Sequence, residues 1–331
     1  MKKALIIGIS GQDGAYLSRL LLEKGYEVYG TSRDAEISRF ESLRFVNVHK
    51  SVQLFSMSLT DFRSILQGLT RTRPDEIYNL AGQSSVGLSF QQPVETFESI
   101  AIGTLNLLEA IRFLGKNVRV YNAGSVECFG NTEGIVNEAS PHQPVSPYGV
   151  AKSAAFWQVA NYRQAYGLFA CSGLLSNHES PLRPERFVTR KIISTACRIA
   201  RGSKETLTLG NIDIIRDWGW APEYVDAMWR IVQSDEPDDF VIGTGRSYLL
   251  REFLDQTFQA VGLNWQDHTR ICPELQRPSD ILQSKVDPAK AFDKLGWRAE
   301  FAMPDLIPLM VASEFAFPTS TVGQSEVFSA A

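Results

Sequence analysis

The chain has 331 residues, 44% of them hydrophobic and 21% charged, the make-up of a soluble globular protein with room for one large domain or a large and a small one. Its formal charge of −4 and pI of about 5.7 give no global field for nucleic acid, and no apolar run reaches the roughly 20 residues that span a membrane. The four cysteines, Cys128, Cys171, Cys197 and Cys272, lack CxxC pairing, so no metal site and no disulfide is expected, and buried thiols in a reducing, cytoplasmic compartment are.

The start, "MKKALIIG", has the basic pair of a signal peptide, but its apolar run is short and ends in a glycine-rich turn. It reads better as a first strand, "KALIIG" at 3–8. Helical spacing follows in "DGAYLSRLLLEKG", with Gly25 as a stop. Further strands are predicted at 26–32, 52–58, 75–81, 118–124 and 168–176, and long helices at 94–115 and 148–167. This alternation predicts an α/β fold with a doubly wound parallel (Rossmann) sheet. After about residue 177 the rhythm changes: "NHESPLRPERFVTRK" is polar, basic and proline-bearing. A strand at 238–245 and helices at 249–262 and 287–297 are assigned to a smaller, discontinuous second lobe. The expected organisation is a Rossmann domain over 1–176, to which some later segments return, a mainly substrate-binding lobe over 177–315, and a loose polar tail over 316–331.

Directly after the first strand, "GISGQDG" places Gly8, Gly11 and Gly14 in a strand–turn–helix context. Glycines there let the backbone approach a pyrophosphate at a helix N-terminus, where free N–H groups and the dipole favour an anion. A dinucleotide cofactor is the expectation, with a ligand-free tight turn as the bland alternative. At the end of the second strand Ser32 takes the place of the carboxylate usual in NAD sites, and Arg33 follows it, which suits the 2′-phosphate of NADP. Asp34 argues mildly the other way.

"SPYGVAK" puts Tyr148 and Lys152 on one face at the start of a helix. A tyrosine with a pKa of about 10 becomes a usable base where an ammonium and a positive nicotinamide ring favour phenolate. Ser125, at the end of the fifth strand, is placed to bond the same substrate hydroxyl. A chance YxxxK pairing is the competing reading of the spacing alone. Glu127, two residues on, is either a second acid/base group or a solvated loop carboxylate.

These segments resemble those of the extended short-chain dehydrogenase/reductases that act on nucleotide sugars, and most specifically the GDP-mannose 4,6-dehydratases. The shared strings include "SGQDGAYL", "PDEIYNLAGQSSVG", "SPYGVAK", "SNHESPLR", "FVTRK", "RDWG" and "RPSD". The resemblance implies that Ser125, Glu127, Tyr148 and Lys152 are catalytic. It implies cofactor contacts at Gly8, Gly11, Gln12, Asp13, Gly14, Arg33, Ser58, Leu59, Leu80 and Ala81, besides Tyr148 and Lys152. For the GDP-sugar it implies Ser84, Asn177, Val188, Lys191, Arg216, Arg277 and Asp280. The implied chemistry is dehydration to a 4-keto-6-deoxy sugar with NADP recycled, in a homodimer or homotetramer whose interface loop would be "RDAEISRFESLRF".

Three departures from the family pattern stand out. Val126 replaces a hydroxyl residue between Ser125 and Glu127, Ser58 replaces the aspartate of an Asp–Leu pair, and Asp34 replaces a second arginine. Two other functions remain open on the residues: a GDP-sugar 4-reductase or epimerase, which does not require Glu127, and a silent NADP-binding or assembly protein. Arg183, Arg186, Arg190 and Lys191 fit an anionic diphosphate or a solvated loop. His178 is expected to be a structural hydrogen-bonder, and Trp218 and Trp220 to be packing residues.

Overall fold

The structure is a computed structural model that describes residues 1–115, 117–275 and 277–316. The strands are β1 (Lys3–Ile7), β2 (Glu27–Ser32), β3 (Gln53–Ser56), β4 (Glu76–Asn79), β5 (Arg119–Ser125) and β6 (Ala170–Leu175). After these come β7 (Asn177–Glu179), β8 (Leu207–Leu209), β9 (Ile215–Trp220), β10 (Phe240–Ile242), β11 (Ser247–Leu249) and β12 (Thr269–Ile271). The helices begin with α1 (Gln12–Glu23), α2 (Glu41–Phe45), α3 (Phe62–Thr72), α4 (Val86–Gln91), α5 (Pro93–Phe97) and α6 (Gly103–Phe113). They continue with α7 (Pro147–Tyr166), α8 (Val188–Ala200), α9 (Ala221–Gln233), α10 (Leu250–Ala260), α11 (Ala289–Leu295) and α12 (Met303–Ala316).

Seven strands form one parallel sheet in the order β10-β6-β5-β4-β1-β2-β3. The continuous apolar run of β1 is explained by burial on both faces. Ala4 and Ile6 join the core under α1 and α9, whereas Leu5 and Ile7 join the core under α3 and α6, as the two-residue period of a strand requires. The strand order reverses at β1, which lies between β4 and β2. In open α/β sheets the crevice at such a reversal, beyond the carboxyl ends of the strands, is where ligands bind.

The helix expected from 148 is α7. Ser146 caps it by accepting from Gly149 N at 3.0 Å, Pro147 opens it, and Gly167 ends it at φ +67°. The helix expected over 94–115 is interrupted: α5 and α6 are joined by a π-helical turn, Glu98–Ile102. Its Ile100 packs against Tyr148 and Ala151 of α7.

Two of the segments assigned to the second lobe lie elsewhere. The 238–245 segment supplies β10, which pairs with β6 as the sheet's edge strand. Within the 287–297 segment, Ala291 and Trp297 join the core of the main sheet. The second lobe is built instead on β7, β9 and β11, with the pair β8–β12 beside them. Its core gathers buried side chains of α8, α10 and α12, with Trp218 tilted against Phe253 at 5.6 Å, so Trp218 packs as expected. Among the described residues no helix is long and apolar enough to cross a membrane. Cys128, Cys171 and Cys197 are buried free thiols, and Cys272 is half-buried. The tail expected over 316–331 lies, apart from Ala316, outside the described residues.

Candidate active site

A cleft of about 670 Å³ runs between the carboxyl ends of the sheet and the second lobe. The sheet side presents Ala81, Ser84, Ser125, Glu127, Tyr148 and Lys152, and the lobe side Asn177, Val188, Lys191, Arg216, Arg277 and Asp280. Residues far apart in the chain thus share one space, and all the expected catalytic and sugar-binding positions are on its walls.

Ser125 is the last residue of β5, and its Oγ accepts from Glu127 N at 3.3 Å, turning the chain into a short 3-10 segment. That turn points Glu127 and Val126 in opposite directions. Glu127 faces the cleft, while Val126 is 4% exposed among Cys128, Phe129, Phe156 and Val286. The valine therefore does not stand where a leaving hydroxyl would be met. Its substitution for a hydroxyl residue changes the core behind the loop and leaves the cleft as it was.

Burial governs the proton affinities on this wall. It raises the Glu127 carboxyl above its ordinary value, with Arg216 and then Arg277 holding it back. It raises the Tyr148 phenol strongly, and a hydrogen bond with Ser125 is the largest opposing influence. It lowers Lys152 to about 8. The Lys152 ammonium donates to Ala123 O at 2.6 Å and lies 5.7 Å from the centre of the Tyr148 ring. Within the chain alone, then, Lys152 is tethered to the end of β5 and burial favours the neutral form of Tyr148; the phenolate is expected with a nicotinamide ring's positive charge beside it.

On the opposite wall Asp280 Oδ1 accepts from Arg216 at 3.2 Å and from Arg277 at 3.1 Å. Arg216 is 4% exposed and also donates to Ile215 O at 2.9 Å. Two guanidiniums on one carboxylate leave a net positive charge, which suits a diphosphate. Lys191 lines the cleft and donates to Thr208 O at 2.7 Å. Arg183 and Arg186 also line it, with Arg183 over the Phe187 ring at 3.8 Å. Arg190 does not: it is 3% exposed and paired with Glu314 of α12 on the far side of α8. Val188 and Lys191 are three residues apart and share the cleft face of that helix, whereas Arg190 is turned out of phase.

The glycine turn fits a dinucleotide. Gly8 has φ +84°, and a Cβ there would meet Ala81 N at 2.9 Å, so only glycine lets β1 turn this close to β4. A Cβ on Gly14 would meet Ile9 backbone at 2.6 Å, which seats α1 against the turn. Gly11 N-caps α1 with no side-chain hydrogen bond, so the helix N-terminus is open to an anion. Of the other expected cofactor positions, Asp13, Leu80 and Ala81 reach the cleft. Gln12 is committed to His178 O at 3.2 Å and Ser180 Oγ at 2.7 Å. Ser58 Oγ meets Thr60 Oγ1 at 2.9 Å, and the Leu59 side chain is in the core. Arg33 stands 84% exposed after β2, 3.6 Å from Glu95.

Two further residues contribute to the cleft. Ala123 acts through its carbonyl, for which no side-chain signal exists. His178 lines the cleft, and both its nitrogens face acceptors: Nδ1 meets Ser176 O at 2.8 Å and Nε2 meets Asp13 Oδ2 at 3.0 Å. Donating to both takes the doubly protonated ring. Burial opposes this, but the Asp13 charge prevails and the His178 pKa is raised. The structural role expected of His178 is supported, and the pair staples β7 to the start of α1.

The sheet order, the glycine turn and the Ser–Tyr–Lys grouping define a Rossmann-fold protein of the extended short-chain dehydrogenase/reductase class. Solved structures with this fold include dTDP-glucose 4,6-dehydratase from Bacillus anthracis, solved with NAD, at TM-score 0.84 and 15% identity over 96% of this chain and 97% of that one. UDP-glucose 4-epimerase from Thermus thermophilus, also with NAD, gives TM-score 0.82 at 27% identity over 94% and 98%. More narrowly, the chain belongs to the GDP-mannose 4,6-dehydratase family, whose model matches residues 5–310. GDP-mannose 4,6 dehydratase 1 of Arabidopsis thaliana is 45% identical over 320 residues, 94% of this chain and 89% of that protein.

Proposed function

We propose that the protein dehydrates GDP-mannose to the GDP-4-keto-6-deoxy sugar, with NADP as a recycled cofactor. The observation that carries this reading is Glu127: a carboxylate with raised proton affinity, placed in the same cleft as Tyr148. A 4-reductase or epimerase on this fold has no use for it. The glycine turn, Leu80 and Ala81 would hold the dinucleotide, and Arg33 favours a 2′-phosphate. Bound NADP supplies the hydride acceptor at C4 and the hydride donor at C6.

Tyr148 removes the proton from the sugar 4-hydroxyl, with Ser125 bonded to the same oxygen. Tyr148 does this as the phenolate, which Lys152, positively charged below about pH 8, and the positive nicotinamide ring would favour, and the step leaves it as the neutral phenol. The 4-ketone acidifies the C5 proton, and Glu127 takes it. Because Val126 is buried behind the loop, Glu127 itself would pass that proton to the departing C6 hydroxyl, which leaves as water; once hydride has returned to C6, Glu127 would deliver a solvent-derived proton to C5. Arg216, Arg277 and Lys191 hold the GDP moiety, and Ser84 and Asn177 orient the sugar.

The test is turnover of GDP-mannose with NADP in deuterated water. Wild type should yield the 4-keto-6-deoxy product with deuterium at C5. Glu127→Gln should lower the rate by about 10²–10⁴ and stop C5 exchange. Undiminished activity would remove Glu127 as the base, and turnover only of a keto-sugar with reduced cofactor would replace the dehydratase reading by a reductase.

A further inference from the structure

Arg33 follows β2, and Glu95 sits in α5 beyond β4. These two strands flank β1, so the ion pair between Arg33 Nη1 and Glu95 Oε1, 3.6 Å apart, crosses the carboxyl end of β1 where the glycine turn begins. A dinucleotide lying over that turn and reaching the end of β2 would run alongside the pair. The second oxygen, Glu95 Oε2, is buried and has no hydrogen-bond partner. The carboxylate that the sequence offers for a ribose hydroxyl, Asp34, is otherwise engaged. Its Oδ1 accepts from Glu36 N at 3.0 Å and Ile37 N at 3.2 Å, turning its own loop.

We propose that Glu95, and not Asp34, is the carboxylate that sets cofactor preference: by holding Arg33 it weakens selection for a 2′-phosphate and admits NAD alongside NADP. This rests on the reading that a nicotinamide dinucleotide occupies the glycine turn. Glu95 is the carboxylate paired with the Arg33 guanidinium. A 2′-phosphate must take Arg33 from Glu95 and then lie beside the released carboxylate, a like-charge contact. A 2′-hydroxyl instead brings no charge, leaves the ion pair intact and donates to the exposed side of the Glu95 carboxylate, whose side chain is 43% exposed. Specificity is a difference between two affinities, and a repulsive group changes it as effectively as an attractive one.

The experiment is fluorescence titration of NADH and NADPH into the full-length protein, its Glu95→Gln and Glu95→Ala variants, and Arg33→Ala, with thermal melts to confirm folding. Wild type should bind NADH within about tenfold of NADPH. Both Glu95 variants should shift the affinity ratio toward NADPH by about tenfold or more, as expected for one unit-charge repulsion close to the surface. Arg33→Ala should shift it toward NADH. A ratio unchanged within twofold in both Glu95 variants, or a wild type that binds NADPH and rejects NADH, would overturn the proposal. Failure of wild type to bind either nucleotide would defeat the glycine-turn reading itself, and this proposal with it.

Discussion

The two walls of the cleft differ in how they carry charge. On the sheet wall, burial moves each titratable group toward neutrality: Tyr148 and Glu127 up, Lys152 down to about 8. These groups stand on the end of β5, the turn after it and the start of α7, elements fixed by a continuous core. On the lobe wall, Arg216 and Arg277 share Asp280, and burial, which lowers the Arg216 pKa, leaves a guanidinium ionised over the working range. One wall is suited to moving protons and the other to holding a permanent anion. The lesson is that similar burial yields opposite outcomes, according to whether the group's ordinary pKa is within reach of the shift.

Removing the phenol should break the contrast most visibly. Tyr148→Phe should lower kcat by about 10²–10⁴ and leave GDP-sugar affinity within about threefold, read by steady-state kinetics and calorimetry. A variant that binds poorly but turns over well would put Tyr148 on the wrong side of the comparison. Arg216→Ala should do the reverse, raising KM by about 10–100-fold, the loss of a buried charged hydrogen bond. Because Arg216 is the strongest influence holding Glu127 down, the acid limb of the rate profile should also move to higher pH. A fall in kcat with unchanged KM and profile would show that the division between walls is false.

Lys152 tests the sheet wall through stability. Its folded pKa of about 8 lies below the unfolded value of about 10.4, so between these values the unfolded chain binds the extra proton. Burial of this ammonium therefore costs stability below about pH 8, and the cost is relieved as pH rises toward 10.4. Urea melts across pH 7–10 should show a rise in wild type, on the order of 3 kcal/mol, that is missing in Lys152→Met. A matching rise in both proteins would mean that other groups produce it. The smallest effect belongs to Val126→Ser. It should cost about 2 kcal/mol by burying an unpaired hydroxyl and change kcat/KM less than about threefold. A large change in rate with normal stability would return this position to the cleft.

Much of this was legible in the residues, for identifiable reasons. The strands of the sheet are buried on both faces and announce themselves as apolar runs. Tyr148 and Lys152 share a face by helical spacing, and Ser146 and Gly167 mark the ends of their helix. β10 was placed in the wrong lobe because three residues, Phe240–Ile242, carry no record of which sheet they join, and their pairing with β6 is long-range. Arg190 was grouped with the diphosphate cations by composition, although the phase of α8 relative to Val188 and Lys191 separates it. The direction of Val126 has no sequence signal, because a 3-10 turn has neither the period of a strand nor that of a helix. The Arg33–Glu95 pair joins the loop after β2 to α5 across 62 residues, beyond any local pattern.

The π-helical turn between α5 and α6 does more than bring Ile100 to Tyr148. A wide turn holds one residue more than an α-turn, so it changes the angular phase of everything before it by about 100° relative to everything after. The α6 side keeps its apolar face on the sheet while the α5 side aims Glu95 at Arg33. One segment thus serves two rotational settings at once, and the rim of the groove is indexed to its floor by a single inserted residue.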